Sequence, residues 1–235
     1  EIDVSLVGSE MCIRDRRLYA EDPGNDFLPV TGKMIAFEPT DDPLVRWDVG
    51  IESGSNITAN FDPMLAKIIS FGETRTEAAN KLALAIENSH FGGMQTNRDY
   101  LVSILRSKEY LNGDTTTDFV ERVNLKSEID LTKEEIVRFA KVGAMWVQGK
   151  NRDEAMVLKN LQSGWNNGRL PYQEVKLKLN EEELKIKYKP LRDGSFISED
   201  NENIRIFNWS HDFIDVEISN MRYRSKISLE DDLLL

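Results

Sequence analysis

The chain has 235 residues, 40% hydrophobic and 30% charged, enough for two modest domains that each bury a core. Its net charge of −11 argues against a nucleic-acid surface, which needs clustered Lys and Arg, and the longest apolar cluster, residues 142–147, is far shorter than the roughly 20 residues of a membrane-spanning helix. A single cysteine excludes a disulfide framework and fits a reducing compartment, the cytoplasm or, in a eukaryote, the mitochondrial matrix.

In chain order, the first sixteen residues stand apart. Ser5-Leu6-Val7-Gly8-Ser9-Glu10-Met11-Cys12-Ile13-Arg14-Asp15-Arg16 resembles the conceptual translation of a sequencing adapter, so residues 1–16 are expected to be non-native and to lie outside the fold; a strand with a turn at Gly8 is the alternative. That segment holds the sole cysteine, Cys12, and lacks the basic flank and apolar core of a secretory signal. Residues 30–37, 44–49 and 55–61 carry β-branched or aromatic residues between Pro39, Asp41-Asp42-Pro43 and Ser53-Gly54, and read as antiparallel strands. Thr74-Arg75-Thr76-Glu77 is a capping box, opening a helix with Ala78, Leu82, Ala85 and Ile86 on its apolar face and an end near Ser89. A second helix is expected over residues 98–107, with Tyr100, Leu101, Ile104 and Leu105 inward. Strands followed by helices make an α+β unit.

The polar tract 124–130 precedes a second capping box, Thr132-Lys133-Glu134-Glu135, and marks a boundary between domains at 17–123 and 124–235. Over residues 136–147 only Arg138 and Lys141 are strongly polar, so the helix must be buried on most sides, with Ile136, Phe139, Ala140, Gly143 and Val147 filling the core. Val175, Leu177 and Leu179 then alternate with Lys176 and Lys178, and Leu184, Ile186 and Tyr188 with Lys185, Lys187 and Lys189. This period of two, with further strands at 204–209, 213–219 and 221–227, predicts an antiparallel β-barrel wrapped around the helix.

Several runs have an order of residue types that no periodic pattern requires: Arg17-Leu18-Tyr19-Ala20-Glu21-Asp22-Pro23, Phe27-Leu28-Pro29 and Gly32, Val45-Arg46-Trp47-Asp48, Phe61-Asp62-Pro63-Met64-Leu65-Ala66-Lys67, Gly72-Glu73-Thr74-Arg75-Thr76-Glu77-Ala78, and Thr96-Asn97. Together they resemble, over residues 17–122, the C-terminal part of biotin carboxylase as found in the α-subunits of acyl-CoA carboxylases. The resemblance implies a ligase that uses ATP, Mg2+ and bicarbonate to carboxylate biotin. Arg46 matches the arginine that stabilises negative charge on the ureido oxygen, a task suited to a planar guanidinium. A strand arginine that covers apolar surface near Trp47 and pairs with Asp48 or Glu52 is the structural alternative. Thr117, within Gly113-Asp114-Thr115-Thr116-Thr117-Asp118-Phe119, matches the segment near the nucleotide's adenine, and a helix-start turn explains that segment equally well. Asp62 and Lys67 are read as a turn residue and a structural charge, and Phe61 stands where the family often has tyrosine.

The second half resembles, more weakly, the family's domain that contacts the carboxyltransferase, with Leu161-Gln162-Ser163-Gly164-Trp165-Asn166-Asn167 as the entry into its barrel. The implied partners are a carboxyltransferase β-subunit and a biotin carrier domain, in an oligomer when full length. No metal site is expected, because His90 and His211 lack carboxylates at ligand spacing. The acidic runs Glu181-Glu182-Glu183 and Glu199-Asp200 read as solvated turns. The family's Mg2+ ligands and nucleotide-grasping lobes lie upstream of Arg17, and no Ala-Met-Lys-Met motif for a biotinyl lysine is present, so the chain is expected to be a fragment inactive by itself. A non-catalytic interaction module and a component of a urea or pyruvate carboxylase are the competing readings. The acyl group is not legible.

Overall fold

In a computed structural model, which describes residues 12–123, 125, 131–157, 161, 163, 168, 171–179 and 182–235, three antiparallel strands organise the first half of the chain: β1 (Cys12–Tyr19), β2 (Val45–Val49) and β3 (Met64–Gly72). β3 is central, with β1 and β2 at the edges. Its residues alternate between a buried set, Ala66, Ile68, Ser70 and Gly72, and the half-exposed Lys67, Ile69 and Phe71. The buried set is small, which lets helix α1 (Arg75–Glu87) approach closely. A Cβ on Gly72 would lie 2.6 Å from the Ala78 nitrogen, and Ser70 Oγ donates to the Ala78 carbonyl at 2.7 Å. The Thr74 hydroxyl caps α1 by accepting from the Glu77 amide at 3.1 Å. α2 (Arg98–Arg106), α3 (Lys108–Asn112) and α4 (Phe119–Val123) follow, and Tyr100, Leu101, Ile104 and Leu105 are buried as their spacing predicts.

Two expectations change here. The tracts 30–37 and 55–61 do not form continuous strands: Gly32–Lys33 pairs with Asn56–Ile57, and Ala36–Glu38 with His90–Gly92. The first tract changes partner at Met34-Ile35, and the second follows a turn at Ser53-Gly54 and pairs only at Asn56–Ile57. Residues 12–16, expected outside the fold, are the first half of β1, where Cys12, Ile13, Arg14, Asp15 and Arg16 lie opposite Gly72, Phe71, Ser70, Ile69 and Ile68. The Arg16 guanidinium sits 4.5 Å from the Tyr110 ring centroid. Deleting residues 1–16 is therefore expected to lower stability by on the order of 1–3 kcal/mol, since each cross-strand pair contributes a fraction of a kcal/mol. Urea unfolding of the two chains measures this, and a difference below about 0.5 kcal/mol would show that the pairing adds nothing.

The chain divides into two compact units, Glu1–Asp130 and Leu131–Leu235. In the second, Thr132 and Glu135 cap α5 (Lys133–Asp153) reciprocally. β4 (Gln173–Leu179), β5 (Glu182–Pro190), β6 (Phe196–Ser198), β7 (Asn203–Ser210), β8 (Phe213–Ile218) and β9 (Met221–Lys226) form one antiparallel sheet in sequence order. α5 touches β4 and β5 toward one end of the sheet and β7 and β8 toward the other, so the sheet curls around it. β4 and β9 do not pair among the described residues. The sheet is half a barrel, open where a closed one was expected. Residues 162 and 164–167 of the tract expected to enter the barrel lie outside the described residues, as do 124 and 126–130 of the polar boundary segment and Glu181 of the first acidic run.

The buried face of α5 also differs from expectation. Ala140, Val142, Ala144, Met145 and Trp146 are buried, whereas Phe139 is 51% exposed. Lys141 is 5% exposed, because Asp200 at 2.5 Å and Glu202 hold its ammonium. Asp200 lies in an exposed turn, as expected, and is also a partner in an ion cluster. Burial disfavours the charge on both groups, but hydrogen bonds outweigh it, holding Lys141 above the ordinary lysine range and Asp200 below the usual carboxylate range. The Asp200 contribution is present above its unfolded pKa, about 3.9, and disappears as pH falls through the lower folded value. Asp200→Asn is accordingly expected to lose less melting temperature than the parent between pH 5 and pH 3, measured by calorimetry. The Lys141 contribution is present below its unfolded pKa, near 10.4, and disappears only at higher pH.

No helix among the described residues is long and apolar enough to cross a membrane.

Candidate functional site

Strand alternation determines what the first unit presents to solvent. On β2, Trp47 turns inward and meets Phe91 edge-on at 5.9 Å, so its neighbours Arg46 and Asp48 must turn outward together. Register with β3 places Arg46 opposite Ile69, which itself lies opposite Asp15; Asp48 lies opposite Lys67, which lies opposite Arg17. The outward face of the sheet therefore carries two rows, Asp15-Ile69-Arg46 and Arg17-Lys67-Asp48. Lys67 Nζ is 3.4 Å from Asp15, and Arg46 Nε donates to Asp48 Oδ1 at 2.8 Å. The Arg46 side chain is 67% exposed.

Of the structural contacts the sequence offered Arg46, the bond to Asp48 forms, while Trp47 occupies the opposite face. The bond uses Nε and leaves the two terminal nitrogens without a hydrogen-bond partner among the described residues. Nearby chain features match their sequence reading in part. Asp62 Oδ1 accepts from the Met64 amide at 2.9 Å, closing the turn before β3, and Phe61 is 81% exposed. The longest described strand of the first unit, β3, was not legible as a strand. Burial, and then the charge of Asp62, pushes the Glu21 carboxyl above its ordinary value.

Thr117 lies elsewhere on this unit, in the loop between α3 and α4. α3 ends on Gly113 with φ 86°, the left-handed conformation that a glycine takes without strain. The chain then turns through Thr115, Thr116 and Thr117 before α4. This loop borders a shallow cavity of about 490 Å³, lined also by Arg14, Arg16, Arg75, Tyr110 and Phe119. Arg75 Nε donates to the Tyr110 carbonyl at 2.7 Å, and its guanidinium stands 4.8 Å from the same ring. The loop has its own acidic group: a hydrogen bond from Thr116, and further off the Arg122 charge, hold Asp118 below the usual carboxylate range. Arg46 does not line this cavity, which lies at the β1 edge, two strands from β2. The structure thus does not bring Arg46 and Thr117 into one pocket.

Among the described residues, no group of three or more His, Cys, Asp and Glu side chains is placed to hold a metal ion. His211 Nε2 lies 3.4 Å from Asp153 on the exposed side of the second unit, and His90 lies in a strand.

Comparison with known proteins gives a match on the first unit. The family model for the biotin carboxylase C-terminal domain matches residues 15–122. Biotin carboxylase 2 of Bacillus subtilis is 40% identical over 106 residues, covering 45% of this chain and 24% of the relative. The mitochondrial propionyl-CoA carboxylase alpha chain of Homo sapiens is 38% identical over 109 residues, covering 46% of this chain and 15% of the relative. A solved biotin carboxylase subunit of pyruvate carboxylase superposes with a TM-score of 0.49 at 26% identity, covering 51% of this chain and 26% of that one. The chain thus spans about a quarter or less of the length of these relatives.

Proposed function

We propose, from the premise that residues 15–122 belong to the biotin carboxylase C-terminal domain family, that this chain is the part of a biotin-dependent carboxylase that presents Arg46 to the biotin ring. The observation that carries the reading is the disposition of Arg46: exposed, on a strand paired to β3, with two terminal nitrogens uncommitted. Biotin supplies the ureido nitrogen that takes the carboxyl group. With biotin bound, the planar pair of N–H donors on Arg46 would face its ureido oxygen and would stabilise negative charge developing there more than the neutral resting group. The donor set fits the group.

ATP and Mg2+ are part of the proposed overall reaction. The Thr117 loop, with Arg75 beside it, offers hydroxyl and guanidinium donors suited to a nucleotide, and this is proposed as its role. The described residues do not fit Mg2+. Within the biotin-dependent carboxylases, an acyl-CoA carboxylase α-subunit is the reading we favour over a pyruvate or urea carboxylase. Support comes from the second unit, where a capped helix held by a curled antiparallel sheet follows the first in the order expected of a carboxyltransferase-contacting domain. Its proposed partners are a carboxyltransferase β-subunit and a biotin carrier domain.

The test is a graft. Residues 15–122 would replace the matching segment of Bacillus subtilis biotin carboxylase 2, and biotin- and bicarbonate-dependent ATP hydrolysis would be measured. The folded graft is expected to turn over and to lose turnover with Arg46→Ala; a folded graft indifferent to Arg46 sinks the proposal.

A further inference from the structure

The bond between Arg46 and Asp48 has a directional property. A carboxylate facing a guanidinium end-on would engage both terminal nitrogens and occupy the donors that a substrate oxygen needs. Asp48 instead sits two residues along the same strand, on the same face, and its Oδ1 accepts from Nε at 2.8 Å. That contact engages the inner edge of the guanidinium and leaves the outer N–H fork free. The anchoring is also shared with the sheet: β2 is held to β3 in a register that places Asp48 opposite Lys67, and inward packing of Trp47 prevents the pair from turning over.

We infer that Asp48 is a positioning residue, whose carboxylate orients the Arg46 guanidinium so that its terminal nitrogens face the anionic oxygen of the substrate. The inference rests on the proposed role of Arg46 and deepens it by naming the group that aims the arginine. Asp48 is exposed enough that the pair adds little to stability. Its effect belongs to reaction geometry, where small misplacements are costly.

The experiment compares Asp48→Asn, Asp48→Glu and Arg46→Ala in the graft described above, with a spectroscopic arm on the 235-residue chain. Asp48→Asn is expected to lower kcat about tenfold while KM for ATP and bicarbonate stays unchanged, with a melting temperature within about 3 °C of the parent. Asp48→Glu, which keeps the acceptor charge, is expected to restore at least about half of the activity. In the chain labelled with 15N-arginine, the Arg46 Nε proton is expected to exchange slowly and to lose that protection in Asp48→Ala, which has no side-chain acceptor.

Each failure has its own meaning. Parental kcat in Asp48→Asn beside an impaired Arg46→Ala overturns the positioning role and leaves the role of Arg46 standing. Full activity in Arg46→Ala overturns the reading on which the inference depends. An unprotected Arg46 Nε proton in the parent chain overturns the inference independently of turnover.

Discussion

Arg46→Ala is expected to lower biotin carboxylation by a factor on the order of 10²–10³, the usual loss when one donor to a developing oxyanion is removed. The figure presumes that the guanidinium acts on charge that appears during reaction, so the loss should fall on kcat more than on KM for ATP. Arg46→Lys should recover little, because an ammonium cannot donate to Asp48 through one nitrogen while presenting two coplanar donors on others. Since the side chain is exposed, neither variant should unfold the domain. Measuring kcat and KM for the graft and both variants decides the matter: turnover near normal in the alanine variant would leave Arg46 as a surface partner of Asp48.

The second large effect concerns the other unit. Trp146→Ala is expected to cost about 3–5 kcal/mol, the range for removing a large aromatic from a core. Trp146 is 1% exposed and donates through Nε1 to the Ser210 carbonyl at 3.0 Å, while Trp209 Nε1 donates to the Trp146 carbonyl at 3.0 Å. Losing the indole would leave a cavity and an unpaired carbonyl together. Phe139→Ala, on the same helix, should cost much less, because half of that side chain is already in water. Urea unfolding followed by protease resistance of residues 131–235 separates the two. Equal losses would mean that α5 is seated with a different face inward.

The contrast between Trp146 and Phe139 shows where the sequence could and could not be read. The capping box at Thr132, the hydroxyl cap at Thr74, the span of β2 and the alternating strands of the second half follow from local chemistry, and the structure forms them, although the Glu77 carboxylate accepts from the Glu73 amide and so does not complete the first box. The seating of α5 was not legible. Its apolar residues surround the helix, so hydrophobicity cannot select a face, and the buried position of Lys141 depends on Asp200 and Glu202, some sixty residues away. β3 escaped for the opposite reason: the residues it buries, Ala66, Ser70 and Gly72, are small for the sake of α1 and carry little strand signature. In the candidate site, Arg46 drew attention through the family resemblance alone. Its pairing with Asp48 could be foreseen from spacing, but the choice of Nε over the terminal nitrogens required coordinates.

The first half of β1 has a further consequence. Leu18 points into the core, and the same alternation sends Arg16 and Arg14 inward, where their Nε atoms are buried without a partner, and turns Ile13 outward to 52% exposure. Main-chain bonds to an edge strand do not distinguish one side chain from another, so β3 can hold this stretch in a register that its side chains oppose. A slip of one residue would bury Ile13 and release both arginines, at the expense of Leu18. The strand is therefore under opposed demands: Leu18 and the contact of Arg16 with Tyr110 favour the register observed, while exposed Ile13 and the unpaired Nε atoms of Arg14 and Arg16 oppose it. Exchange between pairings should begin at Cys12 and die out before Leu18, making this edge the place where the first unit is most open to pairing with another strand.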